Sequence, residues 1–185
     1  MRKIVFIICL LTFSNVWCQK GKIKDVSLKP IAIEHVRQTF WNNLPKPLNW
    51  VNDYEGLYTE EQEAGLNKTI NKFEAETTIE IAIVTIDTLK VSKNKFEDLS
   101  LHIATTWGVG KKNKDNGILI AISKGYRVMR IQNGNGIEKI ITDEETKQII
   151  DNYFILAFKM GNYFEGTLNG LQELIRLIKT KINRY

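Results

Sequence analysis

Residues 78–87 have the sequence TIEIAIVTID, a run rich in β-branched residues that predicts a β-strand. The centre of this strand, Ile81–Val84, is apolar at every position, so we expect both of its faces to be covered. Residues 117–123, GILIAIS, repeat the pattern and predict a second buried strand. Strands that are buried on both faces require helices on both sides of a sheet.

The segments around these strands have the apolar periodicity of amphipathic helices. Capping-box patterns at Thr59–Gln62 and Thr142–Glu145 mark two helix starts. Further helices are predicted over 31–41, from 96 to the stop at Gly108, and over 162–179. Residues 126–132 alternate like a strand with one wet face and form a predicted antiparallel hairpin with the strand before them. The sequence thus predicts an α/β fold with a central mixed sheet flanked by about four helices.

The amino terminus has the features of a secretory signal peptide. Two basic residues precede the apolar run Ile4–Phe13, which is too short for a membrane span of about 20 residues. We expect cleavage after Cys18, so that the protein is secreted or periplasmic. Two alternatives stay open: a lipoprotein acylated on Cys18, and a buried amino-terminal strand or helix.

Cleavage at this point changes the chemistry that is available. Both cysteines, Cys9 and Cys18, would leave with residues 1–18, which excludes disulfides and thiolate metal sites. Removing Arg2 and Lys3 from the 26 basic residues leaves 24 against 21 acidic ones, a net charge of +3. So small a surplus argues against nucleic-acid binding. No second run of 18 apolar residues follows, so no transmembrane anchor is expected after signal removal.

The prolines divide the remaining chain. All three, Pro30, Pro45 and Pro47, fall before residue 50. We therefore predict a signal peptide over 1–18, a proline-containing lead-in over 19–49 and a single folded domain over 50–180.

The sequence lacks the residues that several kinds of catalytic site require. The two histidines, His35 and His102, cannot supply a three-histidine zinc site, and no nucleophile-elbow sequence accompanies them. Residues 134–136, Gly-Asn-Gly, lack the third glycine and the strand–loop–helix context of a dinucleotide site.

The remaining candidates are three loops whose side chains could bind a metal ion through oxygen atoms. They contain Asn52-Asp53, Asp115-Asn116-Gly117 and the segment from Glu138 to Asp143. Loops at strand ends meet over one edge of a flanked sheet, where ligands usually bind. Carboxylate and amide oxygens suit Ca²⁺ or Mg²⁺. Each loop also has a structural interpretation, as turn chemistry or as a favourable charge at a helix start.

The same loops carry a resemblance to a known family. The segments that carry it are WVNDYEGLYT (50–59), ATTWGVG (104–110), DNGILI (115–120), GNGIE (134–138), TD (142–143) and GNYFEG (161–166). In this order and spacing they resemble the TPM domain, and Trp-Gly-Val-Gly with Asp-Asn-Gly carries most of the weight.

The resemblance implies a Rossmann-like α/β/α sandwich. It also implies calcium binding, known for some members, or the acid phosphatase activity ascribed to plant members. The acidic positions that match the family are Asp53, Asp115, Glu138 and Asp143.

These observations give a leading hypothesis and two alternatives. The leading one is a binding and maintenance module for envelope proteins that holds Ca²⁺, with Mg²⁺ as the second choice of ion. Asp53 and Asp115 would be charged ligands and Asn116 a neutral one, with Glu138 or Asp143 completing the shell. The alternatives are a metal-dependent acid phosphatase, whose catalytic residues the sequence does not identify, and a purely structural or chaperone-like protein.

Overall fold

A four-stranded sheet forms the centre of the molecule in the computed structural model, which describes residues 30–183. The strands are β1 (Val51–Asp53), β2 (Glu80–Thr85), β3 (Gly117–Ser123) and β4 (Val128–Asn133), and they lie side by side in this order. The first three are parallel, and β4 runs antiparallel to β3. The predicted mixed sheet is confirmed, whereas the predicted signal peptide lies outside the described residues.

Helices cover both faces of this sheet. The described residues contain seven α-helical segments, more than the four or so expected: α1 (Pro30–Asn42), α2 (Glu60–Thr77), α3 (Phe96–Trp107), α4 (Asn135–Glu138), α5 (Asp143–Ile149), α6 (Ile155–Lys159) and α7 (Tyr163–Ile182). One face packs against α2, α5 and α7, and the other against α3 and α1. The α/β/α sandwich is therefore confirmed.

Strand alternation divides the core into two clusters. Every residue of β2 and β3 is buried, as expected for strands covered on both faces. Ile81 and Ile83 of β2 lie in the cluster with α2 and α7, and Ala82 and Val84 lie in the cluster with α3. The two-residue period therefore explains why this run is apolar throughout.

The helix predicted after Thr142 is interrupted. A π-helical turn, Ile150–Phe154, separates α5 from α6. The apolar periodicity of this segment predicts Tyr153 and Phe154 on the inner face; Phe154 is fully buried, whereas Tyr153, in the π-helical turn, is 40% exposed. Gly170 of α7 makes room for Phe154: a Cβ at this glycine would lie 2.1 Å from the phenyl ring.

The lead-in helix α1 lies on the surface of the α3 side. It has no buried residue. Trp41 stacks on His102 of α3 at 4.4 Å between ring centroids, and Phe40 contacts Tyr54 edge-on. Among residues 30–183, no helix combines the length and apolar character that crossing a membrane requires.

Candidate functional site

The predicted site residues lie at two opposite edges of the sheet. Asp53 ends β1 and lies at the carboxyl edge, where the parallel strands end. Asp115 and Asn116 precede β3 and lie at the amino edge, where the parallel strands begin. Glu138 and Asp143 follow β4, which is antiparallel and therefore ends at the amino edge too. The seven residues of β3 separate the two edges by roughly 20 Å.

The expectation that all three acidic loops meet over one edge is therefore wrong for Asp53. Its physical reason is strand direction: a loop that precedes one parallel strand lies opposite a loop that follows its neighbour. Within the described part of the chain, no group of three or more His, Cys, Asp or Glu side chains is placed to hold a metal ion. Metal binding at either edge stays a prediction.

Asn116 has a structural role at the amino edge. It is 7% exposed, and its side chain bridges two backbone segments. Its amide nitrogen donates to the carbonyl oxygen of Thr78 at 2.8 Å, and its amide oxygen accepts from the backbone nitrogen of Lys111 at 2.8 Å. Both polar groups of Asn116 are thus occupied in holding the loop against the end of α2.

Two glycines of the segments that carry the family resemblance allow close backbone packing at the same edge. A Cβ on Gly117 would lie 2.0 Å from the carbonyl oxygen of Val109. A Cβ on Gly134 would lie 2.2 Å from the carbonyl oxygen of Asp115. The glycines of the segments DNGILI and GNGIE are therefore explained by loops that touch main chain to main chain.

The three predicted acidic ligands of this edge, Asp115, Glu138 and Asp143, are exposed to solvent. Asp115 adopts a positive φ of 47°, a conformation that aspartate tolerates better than most residues. Glu138 ends α4, and Asp143 opens α5 behind a capping box of Thr142 and Glu145. Their positions agree with the structural interpretation of these loops as turn and helix-start chemistry.

Asp53 is part of a network at the carboxyl edge. Its carboxylate accepts hydrogen bonds from the backbone nitrogen of Tyr58, at 2.8 Å, and from the hydroxyl of Thr85 at the end of β2. The carboxylate of Glu55 accepts from the backbone nitrogens of Lys124 and Gly125, at 2.7 and 2.9 Å. The loop after β1 is thereby fixed across the ends of β2 and β3.

Negative charge accumulates along this loop. Partial burial, followed by the charges of Asp53 and Glu60, raises the pKa of the Glu63 carboxyl above its ordinary value. Burial also raises the pKa of Tyr58 well above that of a free tyrosine, and nearby carboxylates add to the effect. No ion pair within the described range includes Asp53, Glu60 or Glu63.

A cleft of about 700 Å³ opens between the β3–β4 turn, which Glu55 contacts, and the junction of α6 with α7. We call it the basic cleft, defined by Lys124, Arg127, Ile155, Phe158, Lys159 and Tyr163. Its three cationic side chains belong to exposed residues, and its aromatic rings are half-buried.

Sequence reasoning missed Glu55, Glu63 and the basic cleft. The strand predicted over 126–132 includes Arg127, which instead lies in the turn before β4 with a positive φ of 53°. A usable signal was present, because Lys124 and Gly125 directly follow a buried parallel strand. The carboxyl ends of such strands are where ligands usually bind. The contribution of the α6–α7 junction had no such signal.

Comparisons with known proteins agree with this fold. The family model for the TPM domain matches residues 51–177. No curated protein matches the chain.

Solved structures include similar domains. The N-terminal domain of a P. gingivalis protein is 28% identical, with a TM-score of 0.66, and the match covers 73% of this chain and 85% of that one. The BA42 protein from Bizionia argentinensis is 22% identical, with a TM-score of 0.60, and the match covers 69% and 86%. The N-terminal domain of a Corynebacterium glutamicum protein is 17% identical, with a TM-score of 0.52, and the match covers 72% and 80%.

The two neighbours below 25% identity support the fold alone, whereas the family model spans more than half of the sequence. The chain belongs to the TPM domain family.

Proposed function

We propose that this protein is an exported binding module that takes up a divalent cation and then engages an envelope protein. Ca²⁺ is the first choice of ion and Mg²⁺ the second, because the available donors are hard oxygens. The observation that supports this proposal is the pair of carboxylates on Asp53 and Glu63. Asp53 ends β1 and Glu63 lies in the first turn of α2, and neither forms an ion pair among residues 30–183. Besides burial, the charge of Asp53 raises the pKa of the Glu63 carboxyl.

A bound cation would relieve this repulsion. The carboxylates of Asp53 and Glu63 would be its charged ligands, and water would complete the six to eight oxygens that Ca²⁺ takes. Two carboxylates are fewer than high-affinity sites use, so we expect a dissociation constant of about 10⁻⁴–10⁻³ M, the range of extracellular calcium modules.

The separation of the two edges allows a sharp test. Calorimetric and NMR titration with CaCl₂ should give saturable binding that Glu63→Gln weakens. The matched variant Asp115→Asn changes an acid of the opposite edge and should leave binding unchanged. Binding that is lost in Asp115→Asn and kept in Glu63→Gln would move the site to the amino edge. No saturable heat or shift at about 10 mM CaCl₂ would remove the proposal.

Export is part of the same proposal. Mass spectrometry of the protein recovered outside the cytoplasm should find Gln19 as its first residue. An intact amino terminus would contradict cleavage after Cys18, and a lipid on Cys18 would support the lipoprotein alternative.

The phosphatase alternative stays a prediction with its own measurement. Hydrolysis of p-nitrophenyl phosphate should then depend on the added metal and should be lost in Asp53→Asn. A rate that survives this substitution would come from a contaminant.

A further inference from the structure

The basic cleft has an unbalanced charge. Lys124, Arg127 and Lys159 line it, and none of them takes part in an ion pair among residues 30–183. The carboxylate of Glu55 lies beside the same turn and accepts hydrogen bonds from two of its backbone nitrogens. Three cations around one concavity attract an anion and raise its local concentration.

The wall of the cleft is apolar and aromatic. The rings of Phe158 and Tyr163 stack with 4.7 Å between centroids, and Ile155 lies beside them. The ammonium group of Lys124 lies 5.6 Å from the centroid of the Tyr163 ring. A ligand in the cleft would therefore meet an apolar aromatic wall with cations at its rim.

Two fixed segments shape the cleft before any ligand arrives. Glu55 holds the β3–β4 turn through its two hydrogen bonds. The α6–α7 junction is closed by the backbone nitrogen of Asn162, which donates to the carbonyl oxygen of Ala157 at 3.0 Å.

The same contacts discriminate between kinds of anion. The backbone nitrogens of Lys124 and Gly125 already donate to Glu55, so they are not free to surround a phosphate group. A volume of about 700 Å³ lies within the range of small-molecule sites.

We propose that the basic cleft binds an organic carboxylate, in which the carboxylate group is carried on an aromatic or other apolar body. The carboxylate would lie among Lys124, Arg127 and Lys159, and the apolar body would lie against Phe158 and Tyr163. This site is separate from the proposed cation site, and neither depends on the other.

The probe for this proposal is 2-naphthoate, added to isotope-labelled protein in the presence of EDTA so that cations play no part. Its amide NMR spectrum should show saturable shifts at Lys124, Arg127, Tyr163 and the first turn of α7. Each charge-assisted contact contributes appreciably, so Lys124→Gln with Lys159→Gln should weaken binding by about tenfold.

Controls separate charge from simple apolar binding. The exposed residues Lys93 and Lys139 lie away from the cleft, and Lys93→Gln or Lys139→Gln should leave the affinity unchanged. Neutral 2-naphthalenemethanol should bind much more weakly than 2-naphthoate. Equal binding of the two compounds would overturn the anion site.

Two further results would also overturn the proposal. One is the absence of saturable shifts at the cleft up to about 10 mM 2-naphthoate. The other is tighter binding of 2-naphthyl phosphate than of 2-naphthoate, which would assign the cleft to phosphate chemistry.

Discussion

Tyr58 connects the loop after β1 to the helix that follows the basic cleft. Its hydroxyl and that of Thr167 on α7 are 2.8 Å apart, and Thr167 is fully buried. Burial raises the pKa of Tyr58 well above its ordinary value, so the folded state strongly favours the neutral phenol. This stabilisation is fully present below the unfolded pKa of about 10 and is lost as the pH rises beyond it.

Tyr58→Phe should therefore change stability in two ways. At neutral pH it leaves the Thr167 hydroxyl buried without its partner, which costs about 1–3 kcal/mol. Above about pH 10 the variant should lose stability less steeply than the parent protein. Urea unfolding at several pH values measures both effects. Adding Thr167→Val should recover much of the neutral-pH loss, and no recovery would show that the hydroxyl pair contributes little.

Substitution of Glu63 should stabilise the protein at neutral pH, whereas substitution of Tyr58 should destabilise it. Because its pKa is raised in the fold, its favourable contribution is present below the unfolded pKa of about 4.5 and is lost as the pH rises through the folded value. At neutral pH the charged form is therefore a cost, and Glu63→Gln should stabilise the protein by roughly 0.5 kcal/mol. The difference in the free energy of unfolding between the two proteins should shrink in acid, where the protonated Glu63 side chain is as neutral as glutamine. A destabilising effect of Glu63→Gln in calcium-free buffer at neutral pH would contradict this.

At the scale of elements, α7 shows packing that overrides helix propensity. Gly170→Ala introduces a better helix former, worth about 1 kcal/mol. Its Cβ would lie 2.1 Å from the fully buried Phe154 ring, and overpacking of this kind typically costs about 1–3 kcal/mol. We expect net destabilisation, measured by chemical denaturation.

Gly65 in α2 is the matched control, because a Cβ there meets nothing within 4 Å. Gly65→Ala should therefore stabilise by about 0.5–1 kcal/mol. If Gly170→Ala were equally stabilising, the close contact between α7 and the π-helical turn would be wrong.

At the scale of the whole molecule, α1 is separable from the sheet. It has no buried residue, although Trp41 stacks on His102 and Arg37 donates to the carbonyl oxygen of Thr88. Removing residues up to 46 should leave the fold intact and lower the Tm by roughly 3–10 °C. Circular dichroism and a thermal melt test this. Removal of residues 176–183, which takes away the fully buried Ile178, should instead abolish cooperative unfolding. If the variant that lacks residues up to 46 were unfolded, the lead-in would be an integral part of the core.

The sequence by itself determined the local elements and the kind of fold. The buried strands over Glu80–Thr85 and Gly117–Ser123, the helix that stops at Gly108 and both capping boxes follow from short-range patterns, because periodicity and end groups are local properties. The elements it missed have no such pattern: β1 has three residues, and the π-helical turn packs its Phe154 against Gly170, a glycine 16 residues away.

Only the tertiary structure decided which acidic loops share an edge of the sheet. Strand direction and pairing join residues far apart in the chain, so nothing near Asp53 or Asp115 in the sequence states that they lie at opposite edges. The basic cleft has the same origin. Lys124 and Tyr163 are brought together because the turn after β3 packs beside the start of α7, a non-local contact between segments that separately are only a turn and a helix.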